Sequence, residues 1–188
     1  MMTVDRPRCV VIGVGNRDRG DDGLGPAAVR LLRERVDARA RPGFAEPEIV
    51  EHGRDVASLI LARAGAERLF LIDACVSGAP PGTIHRIDVT AEGMPARTLP
   101  PGSCHSSHGF GLAAALELAR ALGRLPTRTV VYAVEASSFA AGTQLSPPLE
   151  RAAAEVARRV FAELAGDRSA GAAAAPACAA PAFGGNPA

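Results

Sequence analysis

The chain has 188 residues and a formal net charge of +1, with 47% hydrophobic and 22% charged residues. These values predict one globular domain that is large enough to bury a hydrophobic core. They give no reason to expect nucleic acid or an anionic membrane surface as a partner. The four cysteines lie far apart without a C-x-x-C pair, which argues against a zinc cage or a disulfide framework. Neither a signal peptide nor a long apolar run is visible, so we expect a cytoplasmic protein.

The first third of the chain predicts strands that alternate with helices. Residues 9–14 form an apolar run typical of a buried strand. Residues 24–36 repeat apolar side chains on one face, as an amphipathic helix does. A short strand is predicted over residues 48–51 and a second helix over residues 55–64.

The middle of the chain continues this alternation. Residues 69–73 predict an apolar strand that ends on an acid. A turn rich in glycine and proline, residues 78–82, leads to residues 83–87, whose alternation is typical of an edge strand. Residues 90–105 contain three prolines and predict a loop, and residues 107–122 predict the third helix.

The last strand is predicted over residues 129–135, and a final helix follows it. Ser146 precedes a proline and is a good candidate N-cap, and this helix should reach about Leu164. Beyond it alanine, glycine and proline dominate, which is typical of disorder. We therefore expect one α/β domain over residues 1–165 and a disordered tail over residues 166–188.

Strands alternating with helices predict an α/β protein whose mainly parallel sheet is covered on both faces. Ligands of such sheets bind at the carboxyl ends of the strands. Asp21 and Asp22 follow the first strand, Asp73 ends the third and Glu135 ends the last. His108, at a predicted helix start, belongs to the same rim. Residues distant in sequence should therefore converge there.

The segment GVGNRDRGDDGLG, residues 13–25, stands where a dinucleotide-binding loop would lie. The third glycine of G-x-G-x-x-G would fall on Asp18, and nearby acids would repel a pyrophosphate. A receiver-type phosphoryl site also pairs acids after strands one and three, but it needs a lysine after the last strand. All 21 basic residues here are arginine, which argues against that chemistry.

The third interpretation is a site of carboxylate and imidazole ligands for a divalent transition metal. Oxygen and nitrogen ligands without thiolate suit nickel, zinc, iron or manganese, and their spacing does not choose among them. His108 follows two serines at a predicted helix N-terminus. The helix dipole lowers the pKa of a histidine there and keeps it neutral and able to ligate.

Four segments, in this order, resemble the hydrogenase maturation endopeptidases: GVGNRDRGDDGLG, LIDACVSGAPPGTIHRID, SSHGFGLAAALELARALGRLP and LSPPLE. The resemblance covers residues 8–164. Its most specific part is the first segment, in which G-x-G-N is followed by an acid pair and a glycine. It implies a phosphorylase/hydrolase-like α/β fold, with a mainly parallel five-strand sheet sandwiched by helices, similar to the germination protease.

The resemblance also implies an activity and a site. Members of this family remove a C-terminal extension from the nickel-loaded large-subunit precursor of nickel–iron hydrogenases, and by family classification they are aspartic-type peptidases. Their catalytic and nickel-contacting residues carry over to Asp22, Asp73 and His108. The nickel arrives on the precursor, so no permanently bound metal is expected, and the protein should be a monomer. A water polarised by the metal and oriented by a carboxylate would hydrolyse the peptide bond.

Two departures from the family pattern bear on this site. Asp18 replaces a residue that is often apolar in the family, and position 22 is glutamate in some members. The shorter carboxylate of Asp22 reaches less far and can alter the geometry of the metal contact. His105 lies three residues before His108 and competes for its role, although the SSHGFGL context favours His108.

Several residues also have simpler interpretations. We expect Asp21 to cap the following helix and Cys75 to be a small buried apolar residue. His52 and His85 are expected on the surface or in strands, and the role of Glu135 is left open. The alternative function is a non-catalytic α/β module that senses or binds a divalent metal.

Overall fold

A computed structural model describes residues 9–38, 46–52, 55–90 and 112–171, with side chains as far as residue 165. The helices and strands of this part of the chain follow in sequence order: β1 (Cys9–Val14), α1 (Leu24–Asp37), β2 (Glu48–His52), α2 (Val56–Ala62), β3 (Arg68–Cys75), β4 (Ile84–Asp88), α3 (Leu112–Ala121), β5 (Arg128–Glu135) and α4 (Pro147–Gly171). No helix in the described ranges is long and apolar enough to cross a membrane.

The strands form one sheet in the order β2-β1-β3-β5-β4. Neighbouring strands are parallel except at one edge, where β4 runs antiparallel to β5. The predicted α/β class with a mainly parallel five-strand sheet is therefore confirmed. Because β1, β3 and β5 lie side by side and run the same way, their carboxyl ends form one continuous rim.

Both faces of the central sheet are buried. Along β3, Phe70 and Ile72 pack on the side of α1 and α4. Leu69 and Leu71 alternate with them and pack on the side of α2 and α3. This double burial explains the continuous apolar run of β3. Asp73 shares the parity of Leu69 and Leu71, so its side chain belongs to the face covered by α2 and α3.

The start of α1 lies unusually close to β1 and β3. A Cβ atom added to Gly25 would stand 2.2 Å from the Val14 carbonyl oxygen and 2.7 Å from that of Ile72. A Cβ on Gly13 would stand 2.3 Å from the Gly25 carbonyl oxygen. The two glycines thus let helix and sheet touch through their backbones, which fixes the acidic segment between them against the rim.

Some boundaries differ from the sequence prediction. β3 continues two residues beyond Asp73, and α4 runs past Leu164 to Gly171. Ser146 lies directly before α4, at the predicted N-cap position, but its buried hydroxyl accepts no amide of the helix among the described residues. Its carbonyl oxygen instead accepts the first-turn amides of α4. Most of the predicted loop at 90–105, the start of the third helix and most of the predicted tail lie outside the described residues.

Candidate active site

Asp22 lies at the carboxyl end of β1, in a short 3-10 turn at Gly20–Gly23. Only 2% of its surface is exposed, and its Oδ2 accepts the Asn16 amide at 3.2 Å. Gly15 makes this approach possible: its φ is +133°, and a Cβ there would stand 1.9 Å from the Asp22 carbonyl oxygen. The glycines of the first motif therefore fold the loop so that a carboxylate is buried at the rim.

Asp73 is the second buried carboxylate and lies on β3, next to β1 in the sheet. Its pKa is raised to about 8. Burial is the largest cause, a hydrogen bond from the Ala74 amide at 2.9 Å opposes it, and the negative charge of Asp22 adds to it. The influence of Asp22 shows that the two carboxylates are electrostatic neighbours. The sheet thus brings together two of the three residues proposed for the site.

The protonation state of Asp73 determines what the two carboxyl groups can do chemically. At neutral pH and without a cation, the carboxyl group of Asp73 is mostly protonated, because its pKa is about 8. A divalent cation beside it would displace that proton and convert the group into an oxygen ligand. A carboxyl group that titrates near neutrality is also suited to general acid or base catalysis. Both uses fit hydrolysis of a peptide bond next to a metal.

His108 lies outside the described residues, as does its competitor His105. From Leu112 onward, the buried side chains of α3 pack against the sheet face that carries Asp73. The choice of His108 as the third member of the site stays a prediction.

Asp21 does not cap α1, which corrects the sequence interpretation. Its Oδ2 accepts the Ser137 amide at 2.8 Å, the Ser137 hydroxyl at 2.7 Å and the Ser138 amide at 3.2 Å. Its Oδ1 accepts the Ser146 amide at 2.8 Å. Burial acts to raise the pKa of Asp21, but these hydrogen bonds outweigh it and lower the pKa below its ordinary value. Asp21 therefore ties the loop after β5 to the rim.

Asp18 is exposed at the mouth of this region. Its amide donates to Asn16 Oδ1 at 2.9 Å, and its carbonyl oxygen accepts the Gly142 amide at 2.8 Å. It helps to line a cavity of about 370 Å³ together with Gly15, Asn16, Arg17, Pro26, Glu51 and His52. The extra carboxylate thus lies on the exposed side of the motif, and not at the buried acid pair.

Glu135 is buried at the end of β5, on the same rim. Its Oε1 accepts the amides of Ser77 and Gly78 at 2.7 and 2.8 Å, and its Oε2 accepts the Ser77 hydroxyl at 2.7 Å. Burial acts to raise the pKa of Glu135, but these hydrogen bonds hold it below the ordinary value. From the sequence, the role of Glu135 was left open and Ser77 was not identified as its partner. The signal that could have indicated Ser77 is a Ser-Gly pair directly after a strand that ends at the rim.

Comparison with known proteins settles the family. The family model described as "HycI: Hydrogenase maturation protease" matches residues 27–163, most of the chain. The chain belongs to the hydrogenase maturation protease family. The match includes Asp73 and position 108 and begins after the motif that contains Asp22. It makes the protein a peptidase of hydrogenase maturation, which favours the catalytic interpretation over the metal-sensing module.

Solved structures of the family share the fold. The hydrogenase maturating endopeptidase HybD from E. coli is 28% identical, with a TM-score of 0.63, and the alignment covers 87% of this chain and 94% of that chain. A hydrogenase 2 maturation peptidase from a Thaumarchaeota archaeon is 25% identical, with a TM-score of 0.59 and coverage of 84% and 97%. The NiFe hydrogenase maturation protease HybD from Thermococcus kodakarensis, at 24% identity, has a TM-score of 0.63 and coverage of 81% and 96%. No curated protein matches the chain.

Proposed function

We propose that this protein removes the C-terminal extension of a nickel-loaded nickel–iron hydrogenase large-subunit precursor, and that Asp22, Asp73 and His108 contact the nickel carried by that precursor. The peptidase itself keeps no nickel, and the metal marks a precursor that is ready for cleavage. The observation that carries the proposal is a pair of buried carboxylates on one rim: Asp22 in the turn after β1, and Asp73 near the end of the adjacent strand β3, with a pKa of about 8.

The charge state of the pair supports recognition of a metal. Ionisation of Asp73 would place two negative charges side by side in a buried site, and their repulsion is part of the reason why the pKa of Asp73 is raised. A divalent cation between them would relieve that repulsion, so a precursor that carries nickel gains binding energy that an empty precursor lacks. Selectivity for the loaded precursor follows from this difference.

The same pair supports hydrolysis. Water adds to the scissile carbonyl carbon, a carboxylate accepts a proton from the water, and the C–N bond breaks as the leaving amine takes up a proton. Asp73, which exchanges its proton near neutral pH, is suited to this transfer. We assign catalysis to carboxylates, the aspartic type, because the resemblance to the family implies it; the sequence carries no G-x-S-x-G elbow that would support a nucleophilic serine.

The direct experiment incubates the metal-free protein with nickel-loaded and nickel-free forms of one precursor. Mass spectrometry should show loss of a C-terminal peptide from the loaded form alone. Equal cleavage of both forms would contradict the role of nickel, and no cleavage of any loaded precursor, with its cognate partner included, would contradict the activity.

Variants test the assignment of the site. Asp22→Asn, Asp73→Asn and His108→Ala should each slow processing by at least about 100-fold, the usual scale for loss of an acid–base group. Asp37→Asn, an exposed carboxylate at the end of α1, is the matched control and should process at the wild-type rate. Circular dichroism should show that all four variants fold. Wild-type processing by both Asp22→Asn and His108→Ala would show that the assignment is wrong.

A further inference from the structure

A second cluster of potential ligands lies on the rim beyond Asp73. Cys75 ends β3, Glu135 ends β5, and the two residues are directly paired across these strands. His85 lies on β4 opposite Ala133, two residues before Glu135. One donor atom from each of Cys75, His85 and Glu135 lies within 4.8 Å of the other two. Three different ligand types thus meet at one point.

Hydrophobic packing does not explain why these three polar groups lie together. Cys75 and Glu135 are 6% and 2% exposed, so a thiol and a carboxylate are both withdrawn from water. The Cys75 sulfur stands 3.6 Å from Glu135 Oε2. The Nε2 atom of His85 is buried without a hydrogen-bond partner among the described residues, and a buried polar atom in that state costs free energy. A ligand that bonds to the imidazole would remove this cost.

The surroundings of Glu135 resemble those of a metal-ligating carboxylate. Metal ligands are usually held in place by hydrogen bonds from a further layer of groups. The Ser77 and Gly78 amides and the Ser77 hydroxyl hold the Glu135 carboxylate by such bonds. These bonds fix the carboxylate with its Oε2 beside the Cys75 thiol. A bound cation would replace the weak hydrogen bond from this thiol to Oε2.

We propose that Cys75, His85 and Glu135 form a binding site for a divalent transition cation of the zinc class, separate from Asp22 and Asp73. Sulfur, nitrogen and oxygen donors together suit such borderline cations. On binding, the thiol loses its proton to solvent, and the thiolate and carboxylate then balance the two positive charges. Ligands of tetrahedral zinc lie about 3.3–3.8 Å apart at ordinary bond lengths, so a small inward movement of the three donors suffices. Water would fill the fourth position.

This site is distinct from the site of the proposed processing reaction. It uses three other residues, and its cation would reside in the protein, whereas the nickel of the precursor is a passing feature of the substrate. Its test therefore needs no precursor. Failure of that test would leave the proposed peptidase activity untouched, and failure of the processing experiment would leave this site untouched.

The experiment titrates the metal-free full-length protein with Co²⁺, a spectroscopic substitute for Zn²⁺. Coordination by a thiolate gives an intense near-ultraviolet charge-transfer band that carboxylate and imidazole ligands do not give. We expect this band to saturate at one equivalent and to disappear when Zn²⁺ is added. Absence of the band at millimolar Co²⁺ would overturn the proposal and leave Cys75 and Glu135 as a buried hydrogen-bonded pair.

Matched variants locate the site. Cys75→Ala should abolish the band, whereas Cys9→Ala, which removes another buried cysteine, should retain it. Asp22→Asn should also retain it, because that carboxylate belongs to the other site. His85→Ala, at a half-buried position, should weaken Co²⁺ binding by more than about 10-fold, and it serves as the test should Cys75→Ala fail to fold. A band that survives Cys75→Ala, or unchanged affinity in His85→Ala, would refute the assignment.

Discussion

Three of the four buried acids at the rim differ in pKa because their hydrogen-bond partners and charged neighbours differ. Asp21 and Glu135 each accept hydrogen bonds from several backbone amides and a hydroxyl, which lower their pKa values despite burial. Asp73 accepts a hydrogen bond from the amide of Ala74 and faces the charge of Asp22, so its pKa is raised. Asp21 and Glu135 therefore stay charged and hold loops, and Asp73 is left available for proton transfer or metal contact.

Gly15 is predicted to be essential for burying Asp22. Alanine there would combine an unfavourable φ of +133° with a Cβ 1.9 Å from the Asp22 carbonyl oxygen. We expect Gly15→Ala to lower the free energy of unfolding by about 2–4 kcal/mol and to abolish processing. Gly78→Ala is the matched control: its φ is +90°, but nothing lies within 4 Å of the added carbon, so the loss should be about 1 kcal/mol. Urea denaturation of both variants measures the difference, and equal losses would contradict the steric argument.

The sequence predicted the residue types at the rim better than their roles. Asp22 and Asp73 were placed by strand ends and by the family motif, both of which are readable along the chain. Asp21 was misassigned because its partners lie 116 to 125 residues away. Two adjacent acids before a helix cannot be told apart from the sequence. The position of the loop after β5 in the folded protein determines that Asp21, and not Asp22, accepts its hydrogen bonds.

For the helices and strands, periodicity predicted the described bounds to within two residues, except that α4 continues seven residues past Leu164. The predicted start of the third helix lies outside the described residues. The exceptions have physical causes. β3 extends past Asp73 to Cys75 because β5 pairs with it along its full length. The sequence prediction ended this strand at Asp73 because a polar residue after an apolar run usually marks the end of a buried strand. At the start of α4, the Ser146 amide is bound by Asp21 and its hydroxyl caps nothing among the described residues, which local propensity does not reveal.

Glu163 joins α4 to the β4 edge of the sheet. Its carboxylate accepts hydrogen bonds from Arg86 at 2.8 and 2.9 Å and from the Tyr132 hydroxyl at 2.5 Å. Burial acts to raise the pKa of Glu163, but the hydrogen bonds from Arg86 and Tyr132 and nearby positive charge lower it below its ordinary value of 4.5. The charged form is therefore favoured by folding.

Glu163→Gln should reduce the free energy of unfolding by about 2 kcal/mol at pH 7, the scale of charge-assisted hydrogen bonds. Because the folded pKa is depressed, the wild-type advantage is complete above the unfolded pKa and is lost as pH falls through the folded pKa. The denaturation midpoints of the wild type and of Glu163→Gln should therefore converge as the pH falls below the ordinary value of 4.5 and through the folded pKa. Glu155→Gln, on the same helix but exposed in its pairing with Arg158, should change stability less. A Glu163→Gln deficit that is constant with pH would show that the carboxylate's charge is not the cause.

The strand order of the sheet assembles both candidate sites. β1 and β3 are neighbours, which brings Asp22 to Asp73. β4 follows β3 in sequence but pairs with β5, which brings His85 to Glu135. The alternation of elements predicts a parallel sheet but does not determine which strand joins which edge. The first site could therefore be anticipated from strand ends, whereas the second became visible only in three dimensions.

The C-terminal boundary of the domain lies near the end of α4. The side chains of α4 that complete the core include Val160 and Leu164, which are 0% and 3% exposed, and from residue 172 the sequence offers few large apolar side chains to bury. Ending the chain after Gly171 should therefore change the free energy of unfolding by less than about 0.5 kcal/mol and leave processing at the wild-type rate. Ending it after Ala157 removes both core side chains, each worth about 2–5 kcal/mol, and should abolish cooperative unfolding. A large loss of stability or activity on ending at Gly171 would place part of the functional domain in residues 172–188.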